Sequence, residues 1–140
     1  MITYKLYPMK KRGLNFADKP GFVGNGFALL IGLVLLIEGI LGMFHQNFYG
    51  VFTTNYLHSG IHIALGITGL AVSMAEHART YCRYLGILLI TVGLLRFIPF
   101  TDELIVRLLN VNYPVAIFNL IVGAISLGIS FLHEKDMDLA

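Results

Sequence analysis

His58 and His62 lie four residues apart in the run Asn55-Tyr56-Leu57-His58-Ser59-Gly60-Ile61-His62. On a helix that spacing sets the two imidazoles one above the other. Imidazoles so placed can ligate a metal, a haem iron or a chlorophyll magnesium, or hydrogen-bond across a helix interface. Zinc would need further ligands, and the single cysteine, Cys82, begins a different apolar run near its opposite end. Ser59 stands where a metalloprotease helix needs glutamate, so the pair is not a protease zinc motif. A bis-histidine haem needs a partner at matching depth, whereas His45 lies outside the apolar core and His77 and His133 fall at the other end. Interhelical hydrogen bonding is the expected role. His58 and His62 stay the cofactor-binding candidates, as pigment or haem ligands, and no metal site is expected.

Glu38 and Arg96 are the other two residues with chemistry in apolar surroundings. A charge at membrane depth is costly and faces protein, water or an opposite charge. Both sit about two thirds of the way along apolar runs, and Arg96 corresponds to Gly42 when the first and third runs are aligned. Glu38, four residues before Gly42, shares that face, so the sequence predicts a Glu38–Arg96 ion pair. No serine or cysteine stands beside an acid and a base, and no enzyme is expected.

The elements that must hold these residues follow from composition. Of 140 residues, 56% are apolar and 13% charged, with a mean hydropathy of +0.75. A soluble domain carries about 25% charged residues, so an ordinary water-facing surface is excluded, as are a disordered chain, a disulfide scaffold and a nucleic-acid binder. A membrane-crossing helix needs about 20 apolar residues, and four runs meet that need: Phe22 to Phe44, Asn55 to Ala75, Tyr81 to Phe100 and Tyr113 to Leu132. The runs are continuous rather than alternating, which favours helices over barrel strands. The expected organisation is a basic aromatic arm over 1–21, a four-helix transmembrane domain over 22–132 and a short tail over 133–140. Lys5, Lys10, Lys11, Arg12 and Lys19 precede the first helix, and Arg79, Arg83 and Lys135 fall on the same side. By the positive-inside rule both termini are cytoplasmic.

The second and fourth runs align at an offset of 57 residues: Asn55 on Asn112, Ser59 on Ala116, His62 on Asn119, Gly66 on Gly123, Gly69 on Ser126 and Ser73 on Ser130. The first and third align at 54, Gly32 on Gly86 and Gly39 on Gly93. Small and polar residues at alternating steps of four and three make one face, the kind that lets helices approach closely in lipid. The expected fold is all-α: an integral membrane four-helix bundle of two parallel-repeat helical hairpins. Its packing seam is Gly32, Gly39, Gly66, Gly69, Gly86, Gly93 and Gly123, and its intramembrane polar residues are Glu38, Arg96, Asn55, Asn112 and Asn119.

The string Asn55-x-x-His58-x-x-x-His62-x-x-x-Gly66-x-x-Gly69, the Gly50-Val51-Phe52 loop before it and the Ala78-Arg79-Thr80-Tyr81 turn after it carry a resemblance. Over about Phe22 to Leu132 the chain resembles a family of small four-helix bacterial membrane proteins of unknown function. The resemblance implies a fold and no activity. It also implies an Asn and His arrangement in the second half. Here Asn112 is kept, while Val115 and Asn119 stand where histidines are expected.

Function is expected to be that of a non-enzymatic auxiliary or structural subunit of a larger membrane complex. A photosynthetic or respiratory assembly in a bacterial inner or photosynthetic membrane is the natural host. Partners are the membrane and other integral membrane subunits, with chlorophyll, carotenoid or lipid as the molecules in contact. The alternative is a small transporter or channel using Glu38, Arg96 and His62.

Overall fold

The computed structural model describes residues 22–75 and 77–138; the arm expected over 1–21 lies outside the described residues. The chain runs α1 (Phe22–Phe44), β1 (Asn47–Phe48), β2 (Phe52–Thr53), α2 (Tyr56–Ser73), α3 (Ala78–Leu95), α4 (Asp102–Leu109) and α5 (Tyr113–Asp138). It is all-helical but for the two-residue strands, which pair antiparallel with Phe48 opposite Phe52. Tyr49 and Gly50 carry positive φ values of 53° and 72° at the tip, as the central residues of a type I′ turn do.

Local chemistry sets the helix ends. The Asn55 side-chain oxygen accepts from the His58 N–H at 2.9 Å and starts α2. Asn112 does the same for α5, accepting from the Val115 N–H at 3.1 Å. Both are N-caps that satisfy an otherwise orphaned amide. Within α4, Asp102 and Glu103 sit in the first turn and Arg107 in the last, complementing the helix dipole. Asn110 ends α4 in the left-handed region, at φ 50°.

Close backbone approach defines the packing. Gly32 of α1 faces Gly66, Gly69 and Leu70 of α2, while Gly39 faces Ser59 and Ile63. Contacts therefore descend α2 as they ascend α1, and the two helices are antiparallel. A Cβ at Gly66 would stand 2.6 Å from the Leu36 amide nitrogen and 2.8 Å from the Gly32 oxygen, so only glycine fits. In α3 and α5 the counterpart contacts are Gly86 against Gly123 and Leu127, and Gly93 against Ala116 and Leu120. The two pairs meet where Ala28, Ile31 and Leu35 of α1 pack on Ala78, Tyr81, Cys82, Leu85 and Leu89 of α3. Tyr81 adds a hydrogen bond from its hydroxyl to the Leu65 carbonyl at 2.9 Å, and Ser126 donates to the Cys82 carbonyl at 2.8 Å. A second cluster, Ile105, Val111, Val115 and Ala116, seats α4 on the end of the bundle.

Among the described residues three helices are long and apolar enough to cross a membrane: Val23–Phe44, Ala78–Leu95 and Tyr113–Leu132. Their outer faces expose Leu30, Ile37, Ile87, Ile121 and Ile125 among other large apolar side chains. Water would not tolerate so much exposed apolar surface on one small chain, and the protein is membrane-embedded. The second expected span is a helix but is not among those three, because His58, Ser59, His62 and Ser73 dilute its apolar character. The third run breaks earlier than expected. Instead of continuing to Phe100, α3 ends at Leu95 and a turn leads into the additional helix α4. The fourth helix continues past Leu132 to Asp138.

Candidate functional site

A cavity of about 320 Å³ opens between the C-terminal part of α1, the N-terminal parts of α2 and α5, and the β1–β2 hairpin. Its polar lining is Glu38 from α1, His58 and His62 from α2, Asn119 from α5, and Thr53 and Thr54 from the approach to α2. Leu41, Phe48, Tyr49, Phe52, Val115 and Phe118 supply the rest. Phe52 meets Phe118 edge to face, with ring centroids 6.1 Å apart, so the hairpin is seated on α5 at the cavity wall.

Glycine contacts bring the polar residues together. Because Gly39 abuts Ser59 and Ile63, the residue before Gly39 faces the residue before Ile63. Glu38 Oε2 stands 3.5 Å from His62 Nδ1. The Glu38 side chain is 40% exposed and that of His62 12%, so the carboxylate stays accessible while the imidazole is held. His62 in turn meets His58 edge to face at 4.4 Å between centroids. The His58 Nδ1 lies 3.0 Å from the Leu109 carbonyl. A carbonyl only accepts, so Nδ1 carries the proton and Nε2 is the free nitrogen of His58. Among the described residues no group of three His, Cys, Asp or Glu side chains could hold a metal ion.

Above the cavity, two loops are bound to each other. Asn55 Nδ2 donates to the Leu108 carbonyl at 2.8 Å, and Asn112 Nδ2 donates to the Val51 carbonyl at 2.6 Å. Each asparagine therefore caps its own helix with the oxygen and ties the opposite loop with the nitrogen. The Thr53 hydroxyl donates to the Asn110 carbonyl at 2.6 Å, and Asn110 Nδ2 donates back to the Thr54 carbonyl at 2.7 Å. Four side-chain hydrogen bonds thus clasp the segment 51–55 to the segment 108–112. Sequence reasoning placed Asn55 and Asn112 as a matched pair but missed Thr53 and Asn110. Their signal was present, since Asn110 lies 57 residues after Thr53 and Leu108 lies 57 after Val51.

The expected Glu38–Arg96 ion pair does not form. Arg96 follows the last residue of α3 and is not at mid-depth of a helix. Its Nε donates to the Val111 carbonyl at 2.9 Å, its guanidinium lies 4.0 Å from the centroid of the Tyr113 ring, and Nη1 stands 3.7 Å from Asp102 Oδ2. The break after Leu95 moves Arg96 into the turn that receives α4, within reach of Asp102. Glu38 takes its partner from its own hairpin, where the Gly39–Ser59 contact fixes the register. Of the predicted site residues, Glu38, His58, His62 and Asn119 share the cavity, Asn55 and Asn112 clasp the loops beside it, and Arg96 belongs elsewhere.

No curated protein and no solved structure matches the chain. Residues 26–132, which cover most of the four long helices together with the cavity and its clasp, match the family described as a domain of unknown function, DUF4383, and the chain belongs to that family.

Proposed function

We propose that the protein is a non-enzymatic binding subunit of the membrane: a four-helix bundle of two parallel-repeat hairpins that holds a small amphipathic molecule in its cavity. In this reading both termini are cytoplasmic and the cavity faces the opposite side. The single observation that carries the reading is the cavity itself, in which an accessible carboxylate, two imidazoles and an amide share a pocket with aromatic walls. Binding sites for small molecules have that character, mostly apolar with a few placed polar groups. The repeat is supported by matched contacts, Gly32 on Gly66 as Gly86 on Gly123, and Gly39 on Ser59 as Gly93 on Ala116. The exchange of Asn55 and Asn112 between the two loops supports it again. The exposed apolar faces suit lipid or other integral membrane subunits. The transporter reading retains Glu38 and His62 but loses Arg96, which has its own partners.

The test is native mass spectrometry of the full chain released from a mild detergent. A bound small molecule is expected on the wild-type protein. Val115→Phe, which fills the cavity from a buried lining position, should lose it while keeping any protein partner. A bare chain that carries ions across liposomes would favour the transporter.

A further inference from the structure

Glu38 presents an unusual balance of charge. The His62 imidazole stands 3.5 Å from its Oε2. That exceeds the 2.7–3.2 Å or so of a hydrogen bond to nitrogen. A carboxylate offers about four acceptor positions, and among the described residues no lysine or arginine lines the cavity. Arg96 is held by Asp102 and the Val111 carbonyl. A carboxylate at membrane depth draws a counter-charge, and this one has room for it, being 40% exposed at the cavity.

The rest of the lining narrows what that counter-charge is. Phe48, Phe52 and Phe118 surround the space with aromatic rings, and ring faces attract cations, quaternary ammonium groups above all. The volume of about 320 Å³ falls at the small end of the roughly 300–1,000 Å³ typical of ligand pockets. It admits a head group with a short apolar body rather than a long chain. An anion would meet Glu38 with like charge, and a neutral apolar molecule would add no counter-charge beside its imidazole neighbour. A hydrated inorganic cation gains nothing from the aromatic walls.

We propose that the cavity takes an organic cation, an ammonium group on a small apolar or aromatic body, with its charge beside the Glu38 carboxylate and its methyl groups against Phe48, Phe52 and Phe118. This rests on the reading of the cavity as a small-molecule site, and it adds the class of ligand. The ligand binds without covalent change.

The probe is benzyltrimethylammonium, compared with neopentylbenzene, the neutral isostere in which carbon replaces the nitrogen. Each is titrated calorimetrically into the full chain in nanodiscs of zwitterionic lipid. The expected result is binding of the cation at least about tenfold tighter than the isostere. Glu38→Gln should abolish that preference while leaving isostere binding intact, which also shows that the variant is folded. Phe118→Leu should weaken the cation several-fold, and Asp102→Asn, outside the cavity, should change neither. Equal affinity for the two probes on the wild-type protein overturns the cation assignment and leaves the cavity standing as a neutral site. Failure of both probes to bind the wild-type protein overturns the cation assignment and the small-molecule reading together. The wild-type comparison decides the matter even where a variant does not fold.

Discussion

Glu38 and His62 illustrate what residue types reveal and what they leave open. Both were legible as polar groups that need a partner in lipid, and so was Asn119 by its alignment with His62. Which group each would face depends on helix rotation and on where a helix stops. Arg96 looked buried because the run from Tyr81 to Phe100 is largely apolar; the break after Leu95 is written in no single residue before Pro99. Glu38 and His62 are coupled across the α1–α2 interface, and interhelical polar contacts in membranes average about 0.6 kcal/mol with a ceiling near 1.7 kcal/mol. With Glu38 partly exposed, a double-mutant cycle of Glu38→Gln and His62→Ala on unfolding in detergent should give a coupling of about 0.5–1 kcal/mol. Additive losses would place the two side chains apart. His62→Asn should preserve folding, because the aligned position in α5 is already Asn119. Glu38→Gln combined with Arg96→Met should be additive, as those residues have separate partners.

At the scale of elements, the glycine seam was the most legible part of the fold. Gly32, Gly39, Gly66, Gly86, Gly93 and Gly123 all lie at close interhelical contacts, since only residues without a side chain allow that approach and their spacing is visible in the chain. Gly69 belongs to the seam but faces α1 and the Tyr81 hydroxyl together. Gly66→Leu or Gly123→Leu should cost about 1–3 kcal/mol through overpacking. Ala64→Leu, on the exposed side of α2, should be mild, and equal damage from it would put the seam on the wrong face. The β1–β2 hairpin and α4 were not legible. Two-residue strands and an eight-residue helix give little periodicity, and their order comes from the hydrogen bonds that tie them together. Asn55→Ala and Asn112→Ala each remove an N-cap and the tether to the opposite loop. Each should cost roughly 1–2 kcal/mol, measured as a shift in the unfolding midpoint. An unaffected midpoint in both variants would mean that the clasp contributes nothing to stability.

For the whole molecule, the cavity, its membrane setting and the correspondence of the two hairpins all depend on α2 crossing the bilayer. That helix spans Tyr56–Ser73 but is diluted by the polar residues that line the cavity and the seam. A membrane protein places such a helix inside, against other helices, and here Gly66 and Gly69 press it onto α1 while Tyr81 reaches its backbone. The most direct measurement is the accessibility of single cysteines to a membrane-impermeant maleimide, in a Cys82→Ala background expressed in bacterial spheroplasts. Tyr49, Met74 and Phe100 are all strongly exposed and mark three successive connections. Tyr49→Cys and Phe100→Cys should label from outside, and Met74→Cys only after the membrane is opened. Labelling of Tyr49→Cys and Met74→Cys from the same side would leave α2 on one face of the membrane and contradict the four-helix account.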